Sequence, residues 1–363
     1  MAYHMNMQLR SFGNTDLSVS VISLGCWIFG VDWWGHRTQD DCNATCSFAL
    51  DKGISFFDNG DAYGNGRAEE LFGNWIKTAG IDRSTLQIGG KFGYDFYSDP
   101  GVPGAHTERK QDFSPKFVRY ALEQSLKRLQ TDYIDLYMAH NIKLPQFRDD
   151  LWPELDKLVD EGKIKTWGVS LGPAIGWRDE GFKAMIDHQA KAVQTVFNLF
   201  EQHPGREFCE TAVSQKAGVL ARVHDNSSVL KDVVRADTVI GRNDHRKFRD
   251  ENWKIFGAKK VELIRSMAHS YDMNIHEFAC KWLLQQRGMT SITGTFLNDK
   301  EIQEAVNAVT KRDISVSDML QLSRDYATDF GLGDDAHPCN LKTSTDPAGV
   351  VRSSYVPPPV LIA

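Results

Sequence analysis

The chain has no surplus of positive charge, no clustered cysteines and no apolar run long enough to cross a bilayer. Lys and Arg number 42 against 48 Asp and Glu, a formal net charge of −6. That balance speaks against nucleic-acid binding, which needs a basic face. The six cysteines (Cys26, Cys42, Cys46, Cys209, Cys280 and Cys339) are scattered over 363 residues, unlike a secreted disulfide framework. Cys42 and Cys46 stand four apart in a helical segment with no His or Cys pair beside them. They read as packing residues, and no metal site is assigned. The most apolar long stretch, "VSVISLGCWIFGV", is broken by Ser and Gly and falls short of the roughly 20 residues of a membrane helix. The opening "MAYHMNMQLRSFG" has no basic region followed by an apolar core, so no signal peptide is expected. A soluble, cytoplasmic protein without a membrane partner follows from these readings.

What is present is a rhythm. Apolar residues make up 41% and charged residues 25% of the chain, ordinary for a globular protein. Short apolar runs at 20–26, 54–58, 86–91, 134–140, 164–170, 193–198, 219–223 and 291–294 read as strands. Between them, helical spacing runs over 40–52, 68–78, 115–129, 151–161, 180–188, 207–216, 258–286 and 300–309. "SPKFVRYALEQSLKRL" gives the clearest helix, with Ser114 as N-cap, Pro115 at the first position, and Phe117, Ala121, Leu122, Leu126 and Leu129 on one face. Such alternation predicts a parallel sheet covered by helices, either a closed (β/α)8 TIM barrel or a doubly wound open sheet. The span fits the barrel. An open dinucleotide-binding sheet would carry G-x-G-x-x-G after its first strand. Here "GNGRAE" lacks the third glycine and follows the second strand. The expectation is therefore one α/β domain over 1–330, with long loops on the C-terminal face and a Pro/Gly-rich C-terminal extension over 331–363.

In a barrel the chemistry gathers where strands finish. The second strand ends in Asp58, the third in Lys91, the fourth in His140 and the fifth in Ser170, and Tyr63 lies in the loop after the second. Alone, each has a bland explanation: a turn-forming Asp, a solvated Lys, a hydrogen-bonded His. Together they compose a proton-transfer group. A phenol near pKa 10 is a poor acid or base at neutral pH. An ammonium beside it favours the phenolate, a carboxylate keeps that ammonium charged when buried, and a histidine across the pocket can hold a carbonyl oxygen. No serine or cysteine nucleophile is in view, so a hydride donor is the natural attacker of the carbonyl carbon.

The stretch "GISFFDNGDAYGNGRAEELFGNWI" resembles the N-terminal signature of the aldo-keto reductases, and the resemblance continues through "IGGKFG", "SLKRLQTDYIDLYMAHN", "GKIKTWGVS" and, weakly, "TSITGTFLNDKEIQEAV". Within that family the chain looks most like the general-stress reductases of bacteria and the β subunits of potassium channels. The resemblance implies Tyr63 as general acid/base, Lys91 and Asp58 as its tuning pair, and His140 as the residue orienting the substrate carbonyl. It implies a nicotinamide cofactor extended across the barrel mouth, its carboxamide held by Ser170 and Gln194. Further cofactor contacts are expected from Arg222, Gly294, Thr295, Lys300 and Glu304. Asp61 is the local rival of Asp58, and Glu69 reads as an early-helix glutamate serving the macrodipole.

Three departures from the family pattern matter. Ser170 is followed by Leu171 where many members have Asn. The common Tyr-Ser-Pro-Leu after the seventh strand is Arg222-Val223-His224-Asp225, where the planar guanidinium could replace a stacking tyrosine. After Gly294, Asn298 and Glu301 have capping-box spacing and Lys300 adds a charge that Asp299 opposes. These residues predict NADP(H) with a narrowed margin over NAD(H). Trp27, Phe29, Trp33 and Trp34 follow the first strand and read either as packing or as a stacking surface for a keto sugar or a bulky cyclic ketone. "GYDFYSDPGVPGAHTERKQDF" is expected to wall the pocket. The tail reads as disordered, or as a strap over the site or over a neighbouring subunit of a homo-oligomer. A small carbonyl or alcohol is the expected substrate, and the alternative is a cofactor-sensing regulatory protein with vestigial turnover.

Overall fold

The computed structural model describes residues 7–101, 109–172 and 177–338 of the chain. It begins with an antiparallel hairpin, β1 (Leu9–Ser11) and β2 (Ser18–Ser20). Eight strands follow: β3 (Ile22–Gly25), β4 (Phe56–Asp58), β5 (Gln87–Phe92), β6 (Ile134–His140), β7 (Ile164–Ser170), β8 (Ala192–Val196), β9 (Gly218–Arg222) and β10 (Met289–Gly294). Each pairs in parallel with the next, and β10 pairs back onto β3 to close the barrel. The strands are buried on both faces, as β6 shows with six of its seven residues fully enclosed. That is why they appear in the sequence as near-continuous apolar runs.

The covering helices are α1 (Trp27–Gly30), α2 (Gln39–Asp51), α3 (Arg67–Thr78), α4 (Pro115–Leu129), α5 (Leu151–Asp160), α6 (Arg178–Ile186), α7 (Gly205–Gln215), α8 (Asn252–Ser270), α9 (Ile275–Leu284), α10 (Asp299–Thr310) and α11 (Val316–Ala327). In α4 the Ser114 hydroxyl accepts the Phe117 amide, Pro115 fills the first turn, and the predicted apolar face is buried. The stretch expected as one helix over 258–286 is two. Asp272 takes a left-handed φ of 55°, and Asn274 starts a new helix in a capping box with Glu277. The hairpin, α1 and α11 extend the expected set.

Two apolar cores result. One lies between barrel and helices. The other fills the barrel's lower interior: Phe12, Leu17 and Val19 of the hairpin pack against Phe56, Leu136, Met138, Ala192 and Leu220, with the Phe12 and Phe56 rings edge to face at 6.4 Å. Beyond α11, two short 3-10 turns, Asp329–Gly331 and Asp334–Ala336, continue the packed structure. There the α8 residue Lys260 donates to the Ala336 carbonyl at 2.7 Å. The rest of the expected tail, 339–363, lies outside the described residues, as do 102–108 of the expected pocket wall. Among the described residues no helix is long and apolar enough to cross a membrane.

Candidate active site

Strand register gathers the polar residues at one end of the barrel. Asp58 is paired with Gly25 on one side and Gly89 on the other, Lys91 with Met138, His140 with Ser170, Ser170 with Gln194, and Arg222 with Val196. All of these lie at or near the C-terminal ends of their strands. Tyr63 is delivered by the turn between β4 and α3, and that turn is pressed against α1. Gly64, at φ 64°, has no room for a side chain, because a Cβ would lie 2.2 Å from the Gly30 carbonyl oxygen. A Cβ on Gly30 would in turn meet the Tyr63 backbone at 2.4 Å. Two glycines thus let loop and helix touch, and this contact sets where the phenol points.

The Lys91 ammonium is fully buried and donates to Asp58 Oδ1 at 2.7 Å and to the Asn59 carbonyl at 2.8 Å. It lies 4.9 Å from the centre of the Tyr63 ring. Burial works to lower the Lys91 pKa, but Asp58 and Tyr63 outweigh it and hold the group above its ordinary value, so it stays charged. The phenol differs from the expectation of a lowered pKa. Burial raises Tyr63 above its usual value, and the opposing charge of Lys91 offsets only part of that rise. His140 stands across from Tyr63 with ring centres 5.9 Å apart and planes near perpendicular. Burial first, then the cations Lys91 and Arg222, push the imidazole well below its ordinary pKa, so it is uncharged at neutral pH. Its Nδ1 has no partner among the described residues. The four predicted residues thus converge around one point.

The expected carboxamide pair is also together. Ser170 Oγ donates to Gln194 Oε1 at 2.7 Å, and that fixes the amide so that Nε2 is a donor. This Nε2 is buried without a partner among the described residues, and such a donor is costly unless something else accepts from it. Arg222 donates through Nη2 to the Leu171 carbonyl at 2.7 Å, and its Nε is likewise orphaned. Both orphans fit a polar, acceptor-bearing group lying over the barrel mouth.

The remaining predicted contacts are uneven. Gly294 ends β10 with the Phe296 ring 2.0 Å from where a Cβ would stand. Thr295 is engaged through its carbonyl, which accepts from the buried Lys231 at 2.7 Å. Lys231 also pairs with Asp225 and Glu301, tying the loop after β9 to the start of α10. Asn298 caps α10 as expected. The Lys300 side chain is 83% exposed and faces Glu304 at 3.7 Å, and Glu304 turns its other oxygen to His276 at 3.1 Å. Trp27 is 6.4 Å from Tyr63 and packs with Trp33 and Trp34. Phe29 is fully buried in the core and offers no surface to a ligand. Asp61 is buried too, its carboxyl pushed well up by burial and then by Glu69, and it is Asp58, not Asp61, that Lys91 meets at 2.7 Å. Glu69 stands in the first turn of α3, as expected of a structural early-helix glutamate, and is paired with Arg128 of α4 at 2.7 Å, which also makes it a tie between helices. Cys42 and Cys46 are buried neighbours on α2, consistent with packing.

Sequence reasoning missed His245 and Arg37 here, and did not single out Tyr94 within the stretch it expected to wall the pocket. His245, from the long loop after β9, stacks on Trp33 at 4.8 Å and meets Trp27 and Trp34 edge-on. Tyr94 flanks His140 at 5.0 Å and accepts a hydrogen bond from Asn141. Arg37 donates to the Leu297 carbonyl at 3.2 Å, bringing a cation to the start of α10. Neither His245 nor Arg37 had a sequence signal, because each acts through a loop whose path the strand pattern does not specify. A depression of about 320 Å³ lies at the opposite end of the barrel, lined by Arg10, Gly13, Lys216 and Met289 among others. It touches none of these groups.

A closed parallel barrel with titratable residues gathered at its C-terminal face places the chain among the (β/α)8 barrel enzymes. The family model described as "Aldo/keto reductase family" matches residues 21–324, and the chain belongs to that family of oxidoreductases. Members generally use nicotinamide cofactors and act on small carbonyl compounds. The chain is 27% identical over 340 residues to Aldo-keto reductase YhdN of Bacillus subtilis (strain 168), covering 85% of this chain and 95% of that protein. It is 25% identical over 312 residues to a "Probable voltage-gated potassium channel subunit beta" of Arabidopsis thaliana, covering 84% and 91%. L-galactose dehydrogenase of Arabidopsis thaliana is 33% identical over 167 residues, 45% of this chain and 48% of that protein. In fold, the chain is similar to the glycerol dehydrogenase AKR11B4 of Gluconobacter oxydans, with a TM-score of 0.74, 23% identity, and coverage of 89% and 96%.

Proposed function

We propose that the chain interconverts an aldehyde or ketone with its alcohol using NADP(H), with Tyr63 exchanging the proton. The observation that carries this reading is the buried Lys91–Asp58 pair 4.9 Å beneath the Tyr63 ring with uncharged His140 opposite. The cofactor would be held at its nicotinamide end by the orphaned donors of Gln194 and Arg222, with Ser170 orienting the former, and at its phosphate end by Arg37, Thr295 and the α10 terminus. When bound it supplies the hydride. The chain's own residues do the rest. His140 presents a neutral N–H to the carbonyl oxygen. Tyr63 gives its proton to that oxygen in reduction and takes it back in oxidation. Lys91, kept charged by Asp58, offsets the negative charge that forms on the phenol oxygen as the proton leaves.

The aromatic wall of Trp27, Trp33, Trp34 and His245 beside Tyr63 favours a ring-shaped or polyol substrate, since aromatic faces stack on the C–H faces of sugars and on cyclic ketones. Relatives named for L-galactose and glycerol belong to the same chemical class. NADPH fluorescence titration, followed by a panel of sugars, cyclic ketones and simple aldehydes, tests the reading. Binding with NADPH consumption supports it. Binding without turnover on any carbonyl would favour the cofactor-sensing role suggested by the potassium-channel relatives, and no binding would sink both.

A further inference from the structure

We propose that His224, His276 and Cys280 form a binding site for one divalent ion of the zinc class, held by two imidazole nitrogens and a thiolate. All three are buried, and one potential ligand atom from each lies within 4.8 Å of the others. His276 and Cys280 stand four apart on α9, a spacing that sets both side chains on one helix face. His224 arrives from the loop after β9, and its Nε2 meets the Nε2 of His276 at 3.0 Å. Two nitrogens bound at about 2.0–2.1 Å to one ion stand roughly 2.9 Å apart at a right angle and 3.3 Å at the tetrahedral angle, so the spacing fits a shared ion.

An imidazole–imidazole hydrogen bond has the same length, and the distance alone does not choose between them. The outer nitrogens do. His276 Nδ1 lies 3.1 Å from the Glu304 carboxylate, which can only accept, so Nδ1 carries the proton. In the neutral ring this leaves a lone pair on Nε2. A carboxylate behind a histidine is the usual arrangement that orients a metal-binding imidazole. On the far side of the His224 ring the Thr293 carbonyl is a hydrogen-bond acceptor, so with Nε2 facing His276 the proton belongs on Nδ1, and two neutral rings turn lone pairs towards each other with no proton to share. With an ion between the rings, both Nε2 atoms are ligands and no proton is needed between them. Charge is also accounted for. The Cys280 thiol releases its proton to solvent on binding, and the thiolate and Glu304 together balance a dication. The nearby Lys231 is already neutralised by Asp225 and Glu301. Mixed nitrogen and sulfur ligation selects zinc-like ions over magnesium or calcium.

Cobalt(II) titration of the purified full chain tests the site. One equivalent should bind and produce a near-ultraviolet thiolate-to-cobalt charge-transfer band, and zinc should displace it. Cys280→Ser should abolish the band while far-ultraviolet circular dichroism stays that of the parent. Glu304→Gln should weaken cobalt binding about 10- to 100-fold. No stoichiometric binding by the parent, binding without the band, or a band that survives in Cys280→Ser would each overturn the assignment. The parent's titration alone decides the matter if the cysteine variant fails to fold.

Discussion

Replacing Lys91 by Met keeps the length of the side chain and removes its charge. At 4.9 Å from the Tyr63 ring, a unit charge in a medium of effective dielectric about 20 is worth about 3 kcal/mol, or roughly two pH units on the phenol. Burial already raises Tyr63 above its usual value, and Lys91 is the largest influence opposing that rise, so the variant's phenol climbs further. On the proposed mechanism, alcohol oxidation needs the phenolate. At pH 8 its kcat/KM should fall about 100-fold, with the basic limb of the pH profile displaced beyond the accessible range. Carbonyl reduction, which starts from the protonated phenol, should fall less. The substitution also strands Asp58, 3% exposed, without its cation, and breaking a buried pair this way costs about 3–5 kcal/mol. The companion variant Asp58→Asn/Lys91→Met removes both charges and separates lost folding from lost chemistry. Initial rates in both directions from pH 6 to 10, with thermal melts alongside, make the comparison. A parental profile with parental rates in the folded variant would refute the argument.

Tyr63→Phe should keep NADPH affinity and lose about 10²–10⁴-fold in turnover; activity within tenfold of the parent would contradict the proton role. NADPH should be preferred to NADH by a modest margin, and Arg37→Ala should weaken NADPH binding about tenfold or more while leaving NADH unchanged, as expected for one charged hydrogen bond; a tenfold preference for NADH in kcat/KM would overturn the assignment. Trp27→Ala should raise KM for cyclic or sugar carbonyls about three- to tenfold with little effect on small aldehydes, the loss of one aromatic contact; equal effects on both would remove the stacking argument. Burial pushes the Lys260 ammonium down to about 8 from 10.5, so it costs stability below pH 8, and that cost fades as the native state sheds the proton between 8 and 10.5. The Tm of Lys260→Met relative to the parent should therefore be most favourable near pH 7 and decline towards pH 10, and a difference that grows with pH would reverse the sign.

The barrel was legible because its eight strands are buried on both faces and stand out as apolar runs, and because parallel register carries their last residues to one rim. Asp58, Lys91, His140 and Ser170 could be grouped on that ground alone. The hairpin was not legible. Its strands, "LRS" and "SVS", are three residues each and mostly polar, and only Phe12, Leu17 and Val19 plug the barrel. The break between α8 and α9 carried a signal, Asn274 with Glu277 three residues on, but the apolar rhythm runs across it. His276 and Cys280 went unnoticed because their partner, His224, comes from a loop 52 residues earlier. Likewise Tyr63's raised pKa depends on enclosure by neighbouring elements, which no spacing encodes.

The hairpin under the barrel has a consequence for traffic. With Phe12, Leu17 and Val19 seated in the lower interior, the barrel is a vessel stoppered from below, and the Lys91–Asp58 pair sits above that stopper, towards the ends of its strands. On the proposed mechanism, the proton exchanged by Tyr63, the substrate and the product would all pass at the rim above that stopper. There the aromatic cluster around Trp27 and His245 stands. Chemistry and passage would then share one face of the barrel, and whatever narrows that rim would slow both together.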